Sequence, residues 1–309
     1  MTNVLITGGT GMIGKALTEA LLDRGYSVTI LTRKKPGNSS DQCISYAEWD
    51  IKNQKIDSDA IAKADYIIHL AGANVGEKRW TKKRKQEIIG SRVDSGQLLI
   101  KAMKEIPNQV KAVVSSSGIG WYGPDPVIPN PNPFTEYAPA YSDFLAQTCL
   151  QWEQCLEPVT QLGKRLVRLR TGIVLGKKGG ALDEFRKPLR FGFATILASG
   201  KQIVSWIAIE DLVQLYIKAI EDTQMAGPYN AVAPNPVTNK QLVLQFAKAV
   251  NGKSYIPFYV PSFVLKLVLG EMSIEVLKSA TVSCNKILQA GFTFRYSTIE
   301  TAPATNRRT

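Results

Sequence analysis

Apolar and polar positions follow two alternating rhythms through the first half of the chain. Residues 3–7 (NVLIT) form a short apolar run rich in β-branched side chains, the pattern of a strand buried on both faces of a parallel sheet. From residue 13 the apolar positions take a helical spacing, with Ile13, Ala16, Leu17, Ala20 and Leu21 on one side. The pair of rhythms then recurs. Strands are predicted over 27–31, around 44–47, and over 66–70, 110–115 and 164–170. Helices are predicted over 59–64, about 81–105 and about 142–156. The longest of these turns Ile88, Ile89, Val93, Leu98, Leu99, Ala102 and Met103 inward, and Pro107 ends it. Such alternation predicts an α/β fold, a doubly wound parallel sheet with right-handed crossovers.

Beyond residue 171 the regular alternation stops. A short helix is predicted over 183–191, a strand over 202–207, and a helix from the acidic pair Glu210-Asp211 through 220. Another helix is predicted over 239–250, two short ones within 261–278, and a final turn and strand over 291–295. This pattern does not close a second nucleotide fold. It predicts a smaller α/β cap lobe over the carboxyl ends of the strands, where open α/β sheets bind ligands. The expected division is a Rossmann domain over 1–170 and a cap over 171–309, with about 203–233 packing back on the first. The proline-rich stretch 124–139 is too long for a plain connector and is expected to line a site.

Between the first strand and first helix stand Gly8, Gly11 and Gly14, spaced G-x-x-G-x-x-G. Glycine lets the chain turn tightly and lets backbone approach a pyrophosphate, and the helix N-terminus supplies unpaired N–H groups. The turn, with Thr10, Met12 and Ile13, is expected to hold a dinucleotide; a purely structural tight turn is the alternative. The second strand ends at Arg33 and Lys34 with no acidic residue. A carboxylate there would bind the ribose 2′-hydroxyl of NAD, whereas two cations suit the 2′-phosphate of NADP(H), which is the expected cofactor. Asp50 is placed to accept from the adenine amino group. Leu70, Ala71, Gly72 and Ser115, at the ends of later strands, are expected along the cofactor.

Composition narrows the classes. With 44% hydrophobic and 21% charged residues, the 309-residue chain reads as an ordinary globular protein. No apolar run reaches the roughly 18 residues of a membrane span. The N-terminus runs straight into a strand, so no signal peptide is expected and the expected location is the cytoplasm. A single histidine, His69, and four cysteines without C-x-x-C spacing argue against a zinc site or any other metal centre, and a Ser-His-Asp triad could use only His69. The net charge of +12 is partly local, in KRWTKKRK at 78–85. A solvated helix start explains that run more simply than RNA, so nucleic acid is not the expected partner.

Several stretches carry a family resemblance. TGGTGMIG at 7–14, Asp50-Ile51, HLAG at 69–72 and the serines 115–117 leading to Tyr122-Gly123 resemble the extended short-chain dehydrogenases/reductases related to nucleotide-sugar epimerases. Arg79-Trp80-Thr81, Trp152-Glu153, Ser205-Trp206-Ile207 and Gly270-Glu271-Met272 resemble the atypical, YfcH-like branch more closely, although Ala208 stands where that branch often has histidine. The resemblance implies an NAD(P)-binding Rossmann fold, oxidoreductase or epimerase-like chemistry on a small molecule, and a homodimer. It also implies a Tyr-x-x-x-Lys pair, which this chain lacks. Alignment on Trp152-Glu153 puts Leu145 and Cys149 at those places.

Two readings follow. In one, a different proton relay operates, with Ser117 orienting an oxygen, Tyr122 or Tyr141 donating the proton, and Glu136 or Cys149 assisting. In the other, the protein is a catalytically inactive NADP(H) sensor or scaffold. An anionic substrate, such as a nucleotide sugar, is expected to meet Trp80, Arg92 and Arg186, with Glu136 alongside.

Overall fold

A computed structural model describes residues 1–33, 43–176, 180, 182–252 and 254–302. The first half runs β1 (Asn3–Thr7), α1 (Met12–Leu22), β2 (Ser27–Thr32), β3 (Ile44–Asp50), β4 (Lys55–Ile56), α2 (Ser58–Ala62), β5 (Tyr66–His69), α3 (Lys82–Glu105), β6 (Ala112–Gly118), α4 (Phe144–Cys155), α5 (Pro158–Gln161) and β7 (Arg165–Thr171). The second half runs β8 (Ile173–Leu175), α6 (Leu182–Leu189), β9 (Phe193–Leu197), β10 (Ile203–Val204), β11 (Trp206–Ala208), α7 (Ile209–Glu221), β12 (Gly227–Ala231), β13 (Val237–Thr238), α8 (Asn239–Asn251), β14 (Ile256–Val260), α9 (Ser262–Leu269), α10 (Ser273–Leu277) and α11 (Asn285–Gln289).

Eight strands form one sheet in the order β12-β7-β6-β5-β1-β2-β3-β4. Every pairing is parallel except β3 with β4. Alternate residues of each central strand serve opposite faces. Val4, Ile6, Ile68 and Val114 pack with Leu17 and Leu21 of α1 and with Leu212, Tyr216 and Ile220 of α7. Leu5, Ile67 and Val113 pack with Leu98, Leu99 and Met103 of α3 and with Trp152 of α4. Burial on both faces explains why these strands read as unbroken apolar runs. The chain order reverses at β1, which lies between β5 and β2, so a crevice opens at the carboxyl ends of β1 and β5.

The sheet is completed from the second half. β12 pairs with β7 from Gly227↔Val167 to Ala231↔Thr171. Its sequence, GPYNA, carries three residue types depleted in strands, so propensity does not mark it. The remaining second-half strands form small pairs, β10 with β13, β11 with β8 and β14 with β9. They surround a separate core that includes Leu182, Leu189, Ile196, Trp206, Leu242 and Phe246.

Two expectations need correction. The single strand expected over 202–207 is two, because Ser205 interrupts it: its hydroxyl donates to Ala280 O (2.8 Å) and accepts from Val282 N (3.0 Å). No strand forms over 291–295; the amides of Arg295 and Tyr296 donate to the Asp211 carboxylate at 2.8 and 3.0 Å instead.

Candidate dinucleotide site and adjoining cavity

Gly8 adopts φ +71°, the left-handed region, and a Cβ there would lie 3.0 Å from the Leu70 backbone. The Gly11 amide donates to Gly8 O at 3.0 Å and closes the turn. A Cβ on Gly14 would lie 2.5 Å from Gly8 O, so α1 packs against the turn only through a glycine. Gly11 is the N-cap of α1 and supplies no side-chain cap, and Thr10 and Gly11 are exposed. The first-turn amides of α1, beginning at Met12 and Ile13, are thus uncovered by side chains, as an anionic pyrophosphate requires. The cradle fits a dinucleotide.

Thr7 and His69 hold the cradle to the next loop. The Thr7 hydroxyl accepts from the amides of Leu70 and Ala71, both at 3.1 Å, and donates to His69 Nδ1 at 2.8 Å. That assigns the ring proton to Nε2, which lies 3.4 Å from Ser95 Oγ. His69 is fully buried; burial, then the nearby Arg92 charge, pulls its pKa down to about 4. It is a neutral structural imidazole. The sequence reading missed Thr7, although a threonine closing the strand before a glycine turn was visible.

Around the loop, Arg92 Nη1 donates to Ala73 O (3.1 Å) and Ile88 O (2.9 Å). Its guanidinium covers Gly72, where a Cβ would come 3.0 Å from Cζ, and lies 4.9 Å from the Trp152 ring. Arg33 is exposed just past β2. Lys34 lies outside the described residues. Asp50 ends β3, and its carboxylate accepts from the Asn53 amide (3.1 Å) and side chain (2.6 Å), which hold its pKa below the usual carboxylate range. Ser115 is buried at the middle of β6, with its hydroxyl on Ser116 O.

Three of the residues expected to do chemistry, Ser117, Tyr122 and Glu136, lie in a closed network. Ser117 Oγ donates to Glu153 Oε1 at 2.8 Å. Arg170 grips both oxygens of Glu153 at 2.8 and 3.0 Å and donates to Tyr122 Oη (3.2 Å) and Glu136 O (3.1 Å). Tyr122 Oη donates to Asn230 Oδ1 at 2.6 Å, and the Asn230 amide donates to Glu136 Oε1 at 2.8 Å. The Arg170 guanidinium lies 3.6 Å from the Trp121 ring centre. All six hydrogen-bonding residues are buried, and burial pushes the Tyr122 hydroxyl up to about 12. Ser117, Tyr122 and Glu136 therefore tie β6, α4, β7, β12 and the 124–139 loop together and do not face the cavity described below. The sequence placed them near one another in the fold but not the charged pair that absorbs them.

On α4, Leu145 packs 3.3 Å from where a Gly120 Cβ would stand, and Cys149 lies 3.8 Å from the Gly118 position. Burial pushes the Cys149 thiol up to about 11, so it stays protonated. Tyr141 is 44% exposed and its ring fills the space beside Gly123.

A cavity of about 500 Å³ separates the sheet from the second-half core. Val75, Trp80, Gly120 and Leu145 line it on one side, Leu197, Leu242 and Val276 on the other. Lys278 also lines it, with its ammonium 3.2 Å from Asp143 and 2.6 Å from Glu275. Of the side chains expected to meet substrate, only Trp80 is among the described lining residues. Arg186 pairs with Asp183 and lies 5.4 Å from the Phe246 ring. The basic run is partly committed too: Arg84 pairs with Glu77 and Glu87, and Lys85 with Glu271. Among the described residues there is no cluster of metal-ligating side chains, and no helix is long and apolar enough to cross a membrane.

Residues 4–232 match the NAD dependent epimerase/dehydratase family. The chain belongs to that family. Residues 260–304 match a domain of unknown function, DUF1731, and the combination marks the YfcH-like group of these epimerase-family proteins. An epimerase family protein of Staphylococcus aureus is 36% identical over 98% of both chains. One from Mycobacterium leprae is 33% identical over 96% of this chain and 92% of its own. Among solved structures, human epimerase family protein SDR39U1 (isoform 2) with NADPH superposes with a TM-score of 0.85 at 30% identity, covering 99% of each chain. UDP-glucuronic acid 4-epimerase of Bacillus cereus in complex with NAD shares the fold, with a TM-score of 0.78 at 18% identity over 99% of this chain and 97% of its own.

Proposed function

We propose that this epimerase-family chain is an NADP(H)-dependent oxidoreductase or epimerase-like enzyme acting on a small molecule in the cavity. One loop carries the reading. It begins at Leu70 against Gly8 and, five residues on, supplies Val75 and Gly76 to the cavity wall. A dinucleotide laid from the glycine turn along this loop reaches the cavity. When bound, a nicotinamide cofactor supplies hydride transfer to or from a carbinol or carbonyl carbon.

In this reading the turn of Gly8, Gly11 and Gly14 receives the pyrophosphate. Asp50 meets the adenine, and the stretch 70–72 runs beside the ribose. The choice of NADP(H) rests on Arg33 with Lys34, and the NADPH bound by human SDR39U1 supports it. Trp80 and Leu145 exclude water. The proton is assigned to Lys278 rather than Tyr141, because Lys278 lines the cavity and Tyr141 is not among its described lining. Glu275, whose pKa burial raises, is the partner that exchanges a proton with it.

A second reading is cofactor binding without turnover. It is favoured by α4, which carries Leu145 and Cys149, and by the enclosure of Ser117 and Tyr122. Incubating the NADPH-loaded protein with a panel of carbonyl compounds while following nicotinamide absorbance separates the two. Oxidation of NADPH that falls about 10²-fold or more in Lys278→Met supports the first reading. Tight NADPH binding with no turnover on any compound supports the second.

A further inference from the structure

We propose that the cavity takes a neutral carbonyl or carbinol compound with a predominantly apolar body, and not a nucleoside diphosphate sugar. The proposal rests on the reading of this cavity as the substrate site, and it departs from the anionic substrate that the basic composition suggests.

The cavity's size, about 500 Å³, suits a small organic molecule. Its described wall is built from side chains such as Leu145, Ile173, Leu197, Leu242, Leu265 and Val276. Its charged described lining residues are Glu184, Glu275 and Lys278, and Glu184 is balanced by Lys187, which donates to both its oxygens. The cation is already matched: Lys278 stands between Glu275 and Asp143, so the group as a whole carries excess negative charge. A diphosphate entering this space would lose its hydration against aliphatic walls and meet carboxylates rather than a guanidinium fork. Both costs oppose binding, and like charge adds to them.

Two arginines that could have offset this are committed elsewhere. Arg186 is held by Asp183 and lies over Phe246. Arg92 directs its Nη1 to the Ala73 and Ile88 carbonyls. Lys278 retains one ammonium N–H beyond its two carboxylate partners, enough to hold a single uncharged oxygen.

The test is displacement of a neutral apolar dye, Nile red, from the full chain saturated with NADPH. Straight-chain and aryl ketones are titrated against UDP-glucose. Ketones are expected to displace the dye at concentrations at least tenfold below any effect of UDP-glucose. Val276→Trp and Leu145→Trp, one from each wall, are each expected to weaken dye binding at least fivefold while melting as cooperatively as the parent. Displacement by UDP-glucose at or below the concentration of the best ketone overturns the proposal. So does unchanged dye affinity in both folded variants. NADPH binding is followed separately by its own fluorescence, so its absence overturns the oxidoreductase reading without obscuring the dye result, which is then read on the chain alone.

Discussion

The Thr7 hydroxyl donates to His69 Nδ1 at 2.8 Å while accepting two amides of the following loop. This single side chain ties the ends of β1 and β5 together directly under the glycine turn. It also requires His69 to be neutral, because a protonated Nδ1 has no lone pair to offer.

Stability should therefore respond to mild acid. Burial, as the main cause, pulls the His69 pKa down to about 4 from the 6.5 of an unperturbed histidine. The unfolded chain takes up its proton first, so the contribution is complete above about pH 6.5 and is lost as pH falls toward 4. The full effect is about 3 kcal/mol. Because His69 is the chain's one histidine, urea melts between pH 7 and 5 of the parent and a His69 variant, compared with each other, read its share. His69→Gln should flatten that part of the profile; an equally steep profile in the variant would contradict the assignment.

Glu153 and Arg170 are nearly inaccessible, at 5% and 3% side-chain exposure, and share two hydrogen bonds. Removing Arg170 leaves the buried Glu153 carboxylate with only the Ser117 hydroxyl and, at 3.9 Å, Arg168 Nε. Arg170→Met should cost about 3–5 kcal/mol. The double replacement Glu153→Leu/Arg170→Met should recover part of that loss, and chemical denaturation of all three proteins checks it.

Arg33→Ala should weaken NADPH roughly tenfold, the size of one charge-assisted contact, and leave NADH nearly unchanged. Titration of both nucleotides by fluorescence decides this. Tighter binding of NADH than NADPH by the unmodified protein would overturn the NADP(H) preference.

Gly14→Ala places a Cβ 2.5 Å from Gly8 O, a contact that forces α1 away from the turn. Dinucleotide affinity should fall at least tenfold and stability by about 1–3 kcal/mol. Isothermal titration and a thermal melt measure the two losses separately.

The Rossmann half was legible because its cues are local. Apolar runs buried on both faces, the spacing of Gly8, Gly11 and Gly14, and the helical period of α3 each occupy one short window. The placing of Ser117, Tyr122 and Glu136 was not legible. Their environment is set by Glu153, Arg170 and Asn230, which are distant in sequence and converge only after α4, β7 and β12 pack. The cavity was equally hidden: its wall draws on segments from Val75 to Ala280, and no window of sequence contains enough of it to show whether it is charged or apolar.

The β12–β7 pairing has a consequence for any attempt to separate the lobes. A chain ended at residue 170 would retain the glycine turn, yet β7 would be left with an open row of backbone donors and acceptors from Val167 onward. It would also lose α7, whose Leu212, Tyr216 and Ile220 cover the same face as α1. An uncapped, apolar-faced border strand invites pairing with another copy. The nucleotide-binding half is thus continuous in function but not in covalent order, and its solubility as an isolated fragment depends on a strand encoded some sixty residues further on, since β12 begins at Gly227.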